Sequence, residues 1–207
     1  MHVSPGNSVN STSQTKNHSQ NRGETHVCPW WLGYVLLIPF RRFSQNPEKI
    51  LGPYVREGMT VLEVGPGMGY FTLPLARLVG DRGRIVCVDL QEKMLESLRK
   101  RARKAGVALR IETRLASESS LQIDEISDTV DFVLAFAVVH EVPHKKLLFE
   151  EMHRAMKPGA LMLLSEPRGH VSEREFSDTI SIAREAGFEE VETLKITKSH
   201  AVLMRKG

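Results

Sequence analysis

A glycine-rich run that follows a short apolar segment is the sharpest chemical motif in the sequence. It reads Glu63-Val64-Gly65-Pro66-Gly67-Met68-Gly69. Glycines at this spacing let the backbone turn tightly off a strand and approach a ligand without a Cβ in the way. A helix that follows such a turn directs its first amides at negative groups. The run therefore predicts a ligand-binding loop, although a lone glycine loop serves more than one ligand class.

The cysteines and histidines do not have the spacing of a metal site. The two cysteines, Cys28 and Cys87, exclude a disulfide scaffold and a four-cysteine zinc site. His26 and Cys28 alone have ligand spacing, and adding His140 and Glu141 makes no convincing cluster, so we expect no metal.

The start of the chain lacks the basic and apolar regions of a secretory signal, and we expect cytoplasmic localisation with reduced thiols.

Composition places the chain among globular proteins with a mild positive charge. It has 207 residues, 41% hydrophobic and 26% charged, which is enough to bury a core without staples. A net charge of +3 is too small to imply a nucleic-acid partner by itself. One helix carries a basic cluster, for which a solvated face is favoured over an RNA-binding surface; the cluster is Arg99, Lys100, Arg101, Arg103 and Lys104.

The N-terminal quarter of the chain differs from the rest. Residues 1–25 are rich in Ser, Thr, Asn and Gln and predict a disordered tail. Residues 26–57 predict a helical lid segment that contains the apolar run Trp30–Phe40. At eleven residues this run is too short to span a bilayer, and packing over the domain is favoured over an interfacial membrane helix. Residues 58–207 predict one α/β domain.

Strand and helix patterns alternate from Gly58 onward. The predicted strands are Thr60–Val64, Arg84–Asp89, Leu109–Glu112, Val130–Phe136 and Leu161–Ser165, followed by a hairpin of Val191–Ile196 and Ala201–Met204. The predicted helices are Tyr70–Val79, one that buries Leu90, Met94, Leu95, Leu98 and Ala102, Lys145–Met156, and one from the capping box Ser172/Glu175 to Gly187. Such alternation predicts a doubly wound parallel sheet, whose ligands bind at the carboxyl ends of its strands.

The spacing of the third glycine separates two cofactor classes. In the dinucleotide fingerprint G-x-G-x-x-G the third glycine would stand at Tyr70, whereas here it comes one place earlier, at Gly69. This G-x-G-x-G with Glu63 two positions before it resembles motif I of the class I S-adenosylmethionine-dependent methyltransferases. The segments 131–136 and 157–160 also resemble that family, whose nearest group includes the ubiquinone- and menaquinone-biosynthesis C-methyltransferases.

The resemblance implies S-adenosylmethionine as cofactor and a Rossmann-like, mostly parallel seven-stranded sheet with a C-terminal antiparallel hairpin. It implies that Asp89 accepts both ribose hydroxyls and that Leu90 lies against adenine. Ser117 stands where the family commonly has an acid near the adenine amino group. The resemblance therefore implies that the cofactor is contacted here by the backbone of Ala116 and Ser117. The implied cofactor-binding residues are Glu63, Gly65, Pro66, Gly67, Met68, Gly69, Asp89, Leu90, Ala116, Ser117 and Phe136, with Glu63 orienting the methionine amino group. A helix cap is the alternative role of Asp89.

The implied reaction is an in-line displacement that depends mainly on alignment and desolvation. A base is needed only for an acceptor that arrives protonated, and His140 is the candidate, with hydrogen bonding or packing as its alternative role. Residues 137–140 replace the Asn/Asp-Pro-Pro-Tyr/Phe motif of nucleobase amine methyltransferases, and two cysteines are too few for arsenic methylation. We therefore expect a small-molecule acceptor. A non-catalytic cofactor-binding protein or a partner-dependent subunit is the main alternative, and glycine spacing disfavours an NAD-linked oxidoreductase.

Overall fold

The structure is a computed structural model that describes residues 1–2 and 45–207. The predicted polar tail, most of the predicted lid segment and Cys28 therefore lie outside the described residues, and the lid hypothesis stays a prediction. Among the residues described, no helix is long and apolar enough to cross a membrane.

Seven strands in residues 45–207 form one mixed sheet. They are β1 (Thr60–Val64), β2 (Arg84–Asp89), β3 (Ile111–Leu115), β4 (Val130–Phe136), β5 (Met156–Pro167), β6 (Phe188–Thr193) and β7 (Ser199–Lys206). The order across the sheet is β3-β2-β1-β4-β5-β7-β6. The first five strands pair in parallel, and β7 pairs antiparallel with β5 and β6. The predicted mostly parallel sheet with a terminal antiparallel hairpin is confirmed.

Helices cover both faces of this sheet, as expected for a doubly wound fold. They are α1 (Pro47–Leu51), α2 (Thr72–Leu78), α3 (Glu92–Lys104), α4 (Lys145–Ala155) and α5 (Glu173–Glu185). Buried side chains of α1, α2 and α3 share one apolar cluster, and those of α4 and α5 share the cluster on the opposite face. Because strand order reverses between β1 and β4, the carboxyl ends of these strands border a crevice where ligands bind in such folds.

Two helix starts follow from local sequence. The Ser172 hydroxyl accepts the Glu175 N–H at 3.3 Å, and the Glu175 carboxylate accepts the Ser172 N–H at 2.8 Å, so the predicted capping box is present. At α1, the Asn46 side chain accepts the N–H groups of Glu48 and Lys49. Leu51 of this helix is fully buried in the cluster of α2 and α3, so α1 packs as part of the core.

Several predicted boundaries are wrong in detail; among them, β6 spans Phe188–Thr193 where the sequence predicts Val191–Ile196. The third strand begins at Ile111 because Ala108–Arg110 forms a 3₁₀ turn. The fifth strand begins at Met156, directly after α4, because Gly159 adopts a φ of +75° and lets the chain continue through a register shift. Leu90 precedes α3 and is 37% exposed, so it is not on the buried face of that helix.

Candidate active site

The glycine loop after β1 needs two of its glycines for different reasons. Gly65 has a φ of +68°, and a Cβ there would lie 2.5 Å from Cγ2 of Val138. Gly67 has a φ of +53°, but a Cβ there would meet no atom within 4 Å. The first glycine therefore lets the loop lie against the turn after β4, whereas the second borders open space.

Neighbouring elements hold this loop through its backbone. Nη1 of Arg101 on α3 donates to the Met68 carbonyl at 2.8 Å, and the Gly69 N–H donates to the Pro66 carbonyl at 3.0 Å. Arg101 belongs to the basic cluster noted in the sequence, and Arg99 of that cluster contacts Thr113. At least two of the five basic side chains thus support the structure of the domain.

Asp89, at the end of β2, presents a pre-positioned carboxylate. Its Oδ1 accepts the Gln91 N–H at 2.9 Å, and its Oδ2 accepts the Gly67 N–H at 3.2 Å. Burial raises the pKa of Asp89, and the backbone N–H groups oppose that rise. Each carboxylate oxygen retains a further acceptor site, so the group can take both hydroxyls of a vicinal diol.

A cleft that is open to solvent lies over the carboxyl ends of β1, β2 and β4. The predicted cofactor residues that line it are Gly65, Gly67, Asp89, Leu90, Ala116 and Ser117. The predicted site residues that do not line it are Glu63, Pro66, Met68, Gly69, Phe136 and His140. The structure therefore brings half of the predicted site residues together around one cleft, and the other half are not part of its lining.

The walls of the cleft are mostly apolar. Leu90 and the α3 residue Met94 line the cleft, and residues of the turn after β4 and of α4 line it as well: Val138, Val142, Leu147 and Leu148. After β3, the Ala116 N–H donates to the Asp89 carbonyl at 3.0 Å, and the Ser117 N–H donates to the Ser120 carbonyl at 2.9 Å. This arrangement offers apolar surface for a flat base, and the carboxylate that lines the cleft here belongs to Glu118, one residue after Ser117.

These features fit S-adenosylmethionine. A glycine-bordered opening admits a ligand close to the backbone, the Asp89 carboxylate suits a ribose, and the exposed Leu90 side chain suits the face of adenine. Gln91 and Glu118 also line the cleft and were missed by the sequence interpretation. Gln91 stands two residues after Asp89 and Glu118 one residue after Ser117, and these positions just past strand ends were the signal that could have found them.

Glu63 lies beneath the loop. Its carboxylate accepts the Thr72 hydroxyl at 2.6 Å and has the Cys87 thiol at 3.8 Å, and only 3% of the residue is exposed. Burial raises the pKa of Glu63 to about 7, with the hydrogen bond from Thr72 acting in the opposite direction. Its neighbours in the structure are a helix hydroxyl and a strand thiol; a role toward the methionine amino group stays a prediction.

Phe136 and Cys87 are both packed into the core on the α2 side of the sheet. The Phe136 ring centroid lies 4.4 Å from that of Phe71, and 8% of Phe136 is exposed. The Cys87 thiol is fully buried, as expected for a residue inside β2, and burial raises its pKa well above the ordinary value. This thiol is therefore held in its unreactive form.

His140 is paired with a carboxylate that the sequence did not assign. Its Nδ1 lies 2.5 Å from Oε2 of Glu166, which follows the buried core of β5 and is 1% exposed. The other oxygen, Oε1, accepts the Val139 N–H at 2.7 Å and the His140 N–H at 3.3 Å. The hydrogen bond to Glu166 raises the pKa of His140, while partial burial acts against the rise.

A doubly wound sheet with a glycine loop after β1 and a carboxylate held by backbone N–H groups at the end of β2 defines a class I S-adenosylmethionine-dependent methyltransferase. The family model described as "Methyltransferase domain" matches residues 55–201. The chain belongs to this methyltransferase domain family.

Individual relatives agree with that assignment. Over 112 residues the chain is 33% identical to the ubiquinone/menaquinone biosynthesis C-methyltransferase of Enterobacter sp. (strain 638), covering 54% of this chain and 44% of the relative. The chain thus spans about half the length of the curated relatives it matches. A methyltransferase structure from Aquifex aeolicus has a TM-score of 0.78 at 25% identity, covering 86% of this chain and 99% of that one.

The fold by itself does not specify a reaction. The cyclase SpnF has a TM-score of 0.66 at 16% identity, covering 77% of this chain and 79% of that chain. At this identity the likeness shows the fold alone, so the activity has to be argued from the residues of the site.

Replacing Gly67 by alanine is expected to weaken S-adenosylmethionine binding about tenfold while the domain stays folded. The added Cβ meets no protein atom within 4 Å and enters the space beside the cleft. The cost of a non-glycine residue at this φ is roughly 1 kcal/mol. Calorimetric titration and thermal melting measure the two effects.

Gly106→Ala is the matched control for Gly67→Ala. Gly106 has a φ of +70° and equally open surroundings, but it follows α3 away from the cleft. Its variant should lose similar stability and keep full affinity. Equal affinity losses in the two variants would show that backbone strain, rather than occupation of the cleft, causes the effect.

Proposed function

We propose that this chain transfers a methyl group from S-adenosylmethionine to a small-molecule acceptor. The observation that carries the proposal is the cleft in which Gly67 and the Asp89 carboxylate stand opposite mostly apolar walls. Apolar surroundings with a few convergent polar groups are typical of small-molecule sites.

The chain contributes positioning and the exclusion of water. When bound, S-adenosylmethionine supplies an electrophilic methyl group on a sulfonium. Asp89 and the loop backbone would hold its nucleoside part, so that donor and acceptor meet in line. Walls such as Val138 and Val142 would keep water away from the reacting atoms. In this proposal a base is required only where the acceptor carries a proton that it must lose.

The acceptor class is argued from the walls and from the relatives. The turn after β4 carries Ala137 and Val138 in place of an Asn/Asp-Pro-Pro-Tyr/Phe motif, which speaks against nucleobase amines. The name of the Enterobacter relative describes a C-methyltransferase of quinone biosynthesis, which is consistent with a small, largely apolar acceptor. We also propose that residues 26–57 complete the acceptor side as a lid in their part that precedes α1, since α1 itself packs in the core.

A second candidate is a non-catalytic protein that binds S-adenosylmethionine. It is favoured by one observation: the His140 ring is held by Glu166 and is not among the residues that line the cleft. Incubation with tritium-labelled methyl donor and a small-molecule extract separates the two candidates. Transfer of label to a small molecule supports catalysis, whereas binding without transfer favours the second candidate.

Calorimetric titration tests the cofactor directly. We expect S-adenosylmethionine to bind with one site per chain. NAD should give no heat of binding, because the third glycine stands at Gly69 and not at the position of Tyr70, where the dinucleotide fingerprint has it. S-adenosylhomocysteine should compete with the methyl donor. A protein that binds NAD and does not bind S-adenosylmethionine would overturn the proposed function.

A further inference from the structure

The buried Glu166 and the half-buried His140 form a pair beside the cleft, and the proposed function leaves this pair without a defined task. Glu166 is 1% exposed and lies at the carboxyl end of β5. One of its carboxylate oxygens accepts two backbone N–H groups, and the other is hydrogen-bonded to Nδ1 of His140. A carboxylate this buried is costly unless each oxygen is hydrogen-bonded, and here each oxygen is. The pair therefore fixes both the position of the turn and the orientation of the ring.

The orientation of the ring leaves its second nitrogen available. An ionised carboxylate only accepts hydrogen bonds, so Nδ1 must carry the proton that it shares with Glu166. In the neutral ring Nε2 is then the unprotonated nitrogen. Nε2 lies 3.9 Å from Oε1 of Glu141, which lines the cleft, and the His140 side chain keeps 24% of its surface exposed. The free nitrogen is thus on the side of the ring that faces Glu141, a residue of the cleft wall.

We propose that Glu166 is a positioning residue that holds His140 with Nε2 free to take the proton of an acceptor X–H, such as a phenolic hydroxyl. This inference rests on the proposed function. As the acceptor oxygen bonds to the methyl carbon, the bond from that carbon to sulfur breaks, its electron pair stays on sulfur, and the acceptor proton moves to Nε2. The resulting imidazolium is stabilised by the carboxylate of Glu166.

The charges around the ring support this assignment. Glu166 and Glu141 favour the protonated ring, and Lys145 at the start of α4 opposes it. His170 follows β5 with its ring centroid 6.0 Å from that of His140, and His200 of β7 is the residue paired with Glu166 across the sheet. The hydrogen bond to Glu166 is the main cause of the raised pKa of His140, the charges of the two acids add to it, and burial and Lys145 act against it; the raised pKa makes the ring a stronger base.

Nitrogen-15 NMR of the ligand-free protein tests the positioning role without any acceptor. In the wild type, neutral His140 should be the Nδ1–H tautomer, with its pKa above 6.5. In Glu166→Gln the amide oxygen can still accept the Val139 N–H, but the amide NH₂ donates to Nδ1. The neutral ring should therefore switch to the Nε2–H tautomer, and its pKa should fall.

Glu141→Gln is the control for the NMR experiment. It removes a nearby charge without touching Nδ1, so it should lower the pKa of His140 and leave the tautomer unchanged. A wild-type ring protonated on Nε2, or a Glu166→Gln variant with the wild-type tautomer, would overturn the positioning role. Both results are independent of S-adenosylmethionine binding, which calorimetry tests separately.

Two acceptor probes test the task of the pair at pH 8. Phenol keeps its proton at this pH and needs a base, whereas 4-nitrophenol is already ionised. Glu166→Gln and His140→Gln should slow methyl transfer to phenol at least about tenfold and leave transfer to 4-nitrophenol within about twofold of wild type. Equal slowing with both probes would show a merely structural role, and a wild type that methylates neither probe would overturn the phenolic acceptor class.

Discussion

Replacement of Asp89 by alanine is expected to weaken the binding of S-adenosylmethionine at least about 100-fold. The variant loses a carboxylate whose free acceptor sites suit two ribose hydroxyls, and hydrogen bonds to a charged group contribute about 1.5–3 kcal/mol each. It also releases the Gly67 N–H, which Oδ2 accepts at 3.2 Å, and so loosens the loop on the other side of the ligand. The lost ribose contacts act on the bound state alone, whereas the lost contact with Gly67 acts on the ligand-free protein as well.

The fold should tolerate the Asp89 replacement. Burial raises the pKa of Asp89, which means that the ligand-free protein gains nothing from desolvating this charge. We expect the free energy of unfolding without ligand to stay within about 1 kcal/mol of wild type. An effect confined to affinity would place Asp89 in the binding site rather than in the scaffold.

Calorimetric titration with S-adenosylmethionine is the measurement, and two further variants sharpen it. Asp89→Asn keeps one acceptor oxygen and should fall between wild type and alanine. Asp178→Ala removes an exposed aspartate of α5, outside the cleft, and should bind as tightly as wild type. Wild-type affinity of Asp89→Ala would show that the site is assigned wrongly.

The central strands could be predicted from the sequence because their side chains are buried on both faces. The boundaries of β1, β2 and β4 match the continuous apolar runs that such burial requires. The edge strand β3 was misplaced because its residues are only partly buried and Arg114 and Glu112 pair on its surface. Apolar periodicity carries little information at an edge, where one side of the strand meets solvent.

Residues at strand ends could also be predicted, since the topology of a parallel sheet brings those ends together. Asp89 and Gly67 are in contact as that argument requires. The pairing of His140 with Glu166 could not be predicted, because it depends on which way two side chains point from elements 26 residues apart. The same holds for Arg101, which the sequence placed on a solvated helix face and which instead reaches the Met68 carbonyl.

Glu63 is expected to make the ligand-free protein less stable as pH rises from about 4.5 to 7. The ordinary pKa of 4.5 applies to the unfolded chain, and burial raises the pKa in the folded state to about 7. Below the lower value both states hold the proton. Between the two values only the folded state holds it, so stability falls by roughly 1.4 kcal/mol per pH unit. Above pH 7 both states are ionised and the full loss of roughly 3 kcal/mol remains.

Glu63→Gln should remove this contribution. The amide cannot ionise, and its oxygen can still accept the Thr72 hydroxyl that Glu63 accepts at 2.6 Å. The variant should be about 1 kcal/mol less stable than wild type near pH 4.5 and about 2 kcal/mol more stable at pH 8, since the cost of burying the NH₂ group is the same at both pH values. Urea unfolding of the ligand-free protein at several pH values measures the difference.

Glu96→Gln is the control for the pH series, because Glu96 lies exposed on α3 and its replacement should leave the pH dependence unchanged. Comparing each variant with wild type at the same pH cancels the titration of all other groups. If the curves of Glu63→Gln and wild type run parallel from pH 4.5 to 8, Glu63 is ionised in the folded protein throughout that range. The carboxylate beneath the glycine loop would then be held charged by its surroundings, and the buried contact with Thr72 would stabilise the charge rather than merely satisfy a neutral acid.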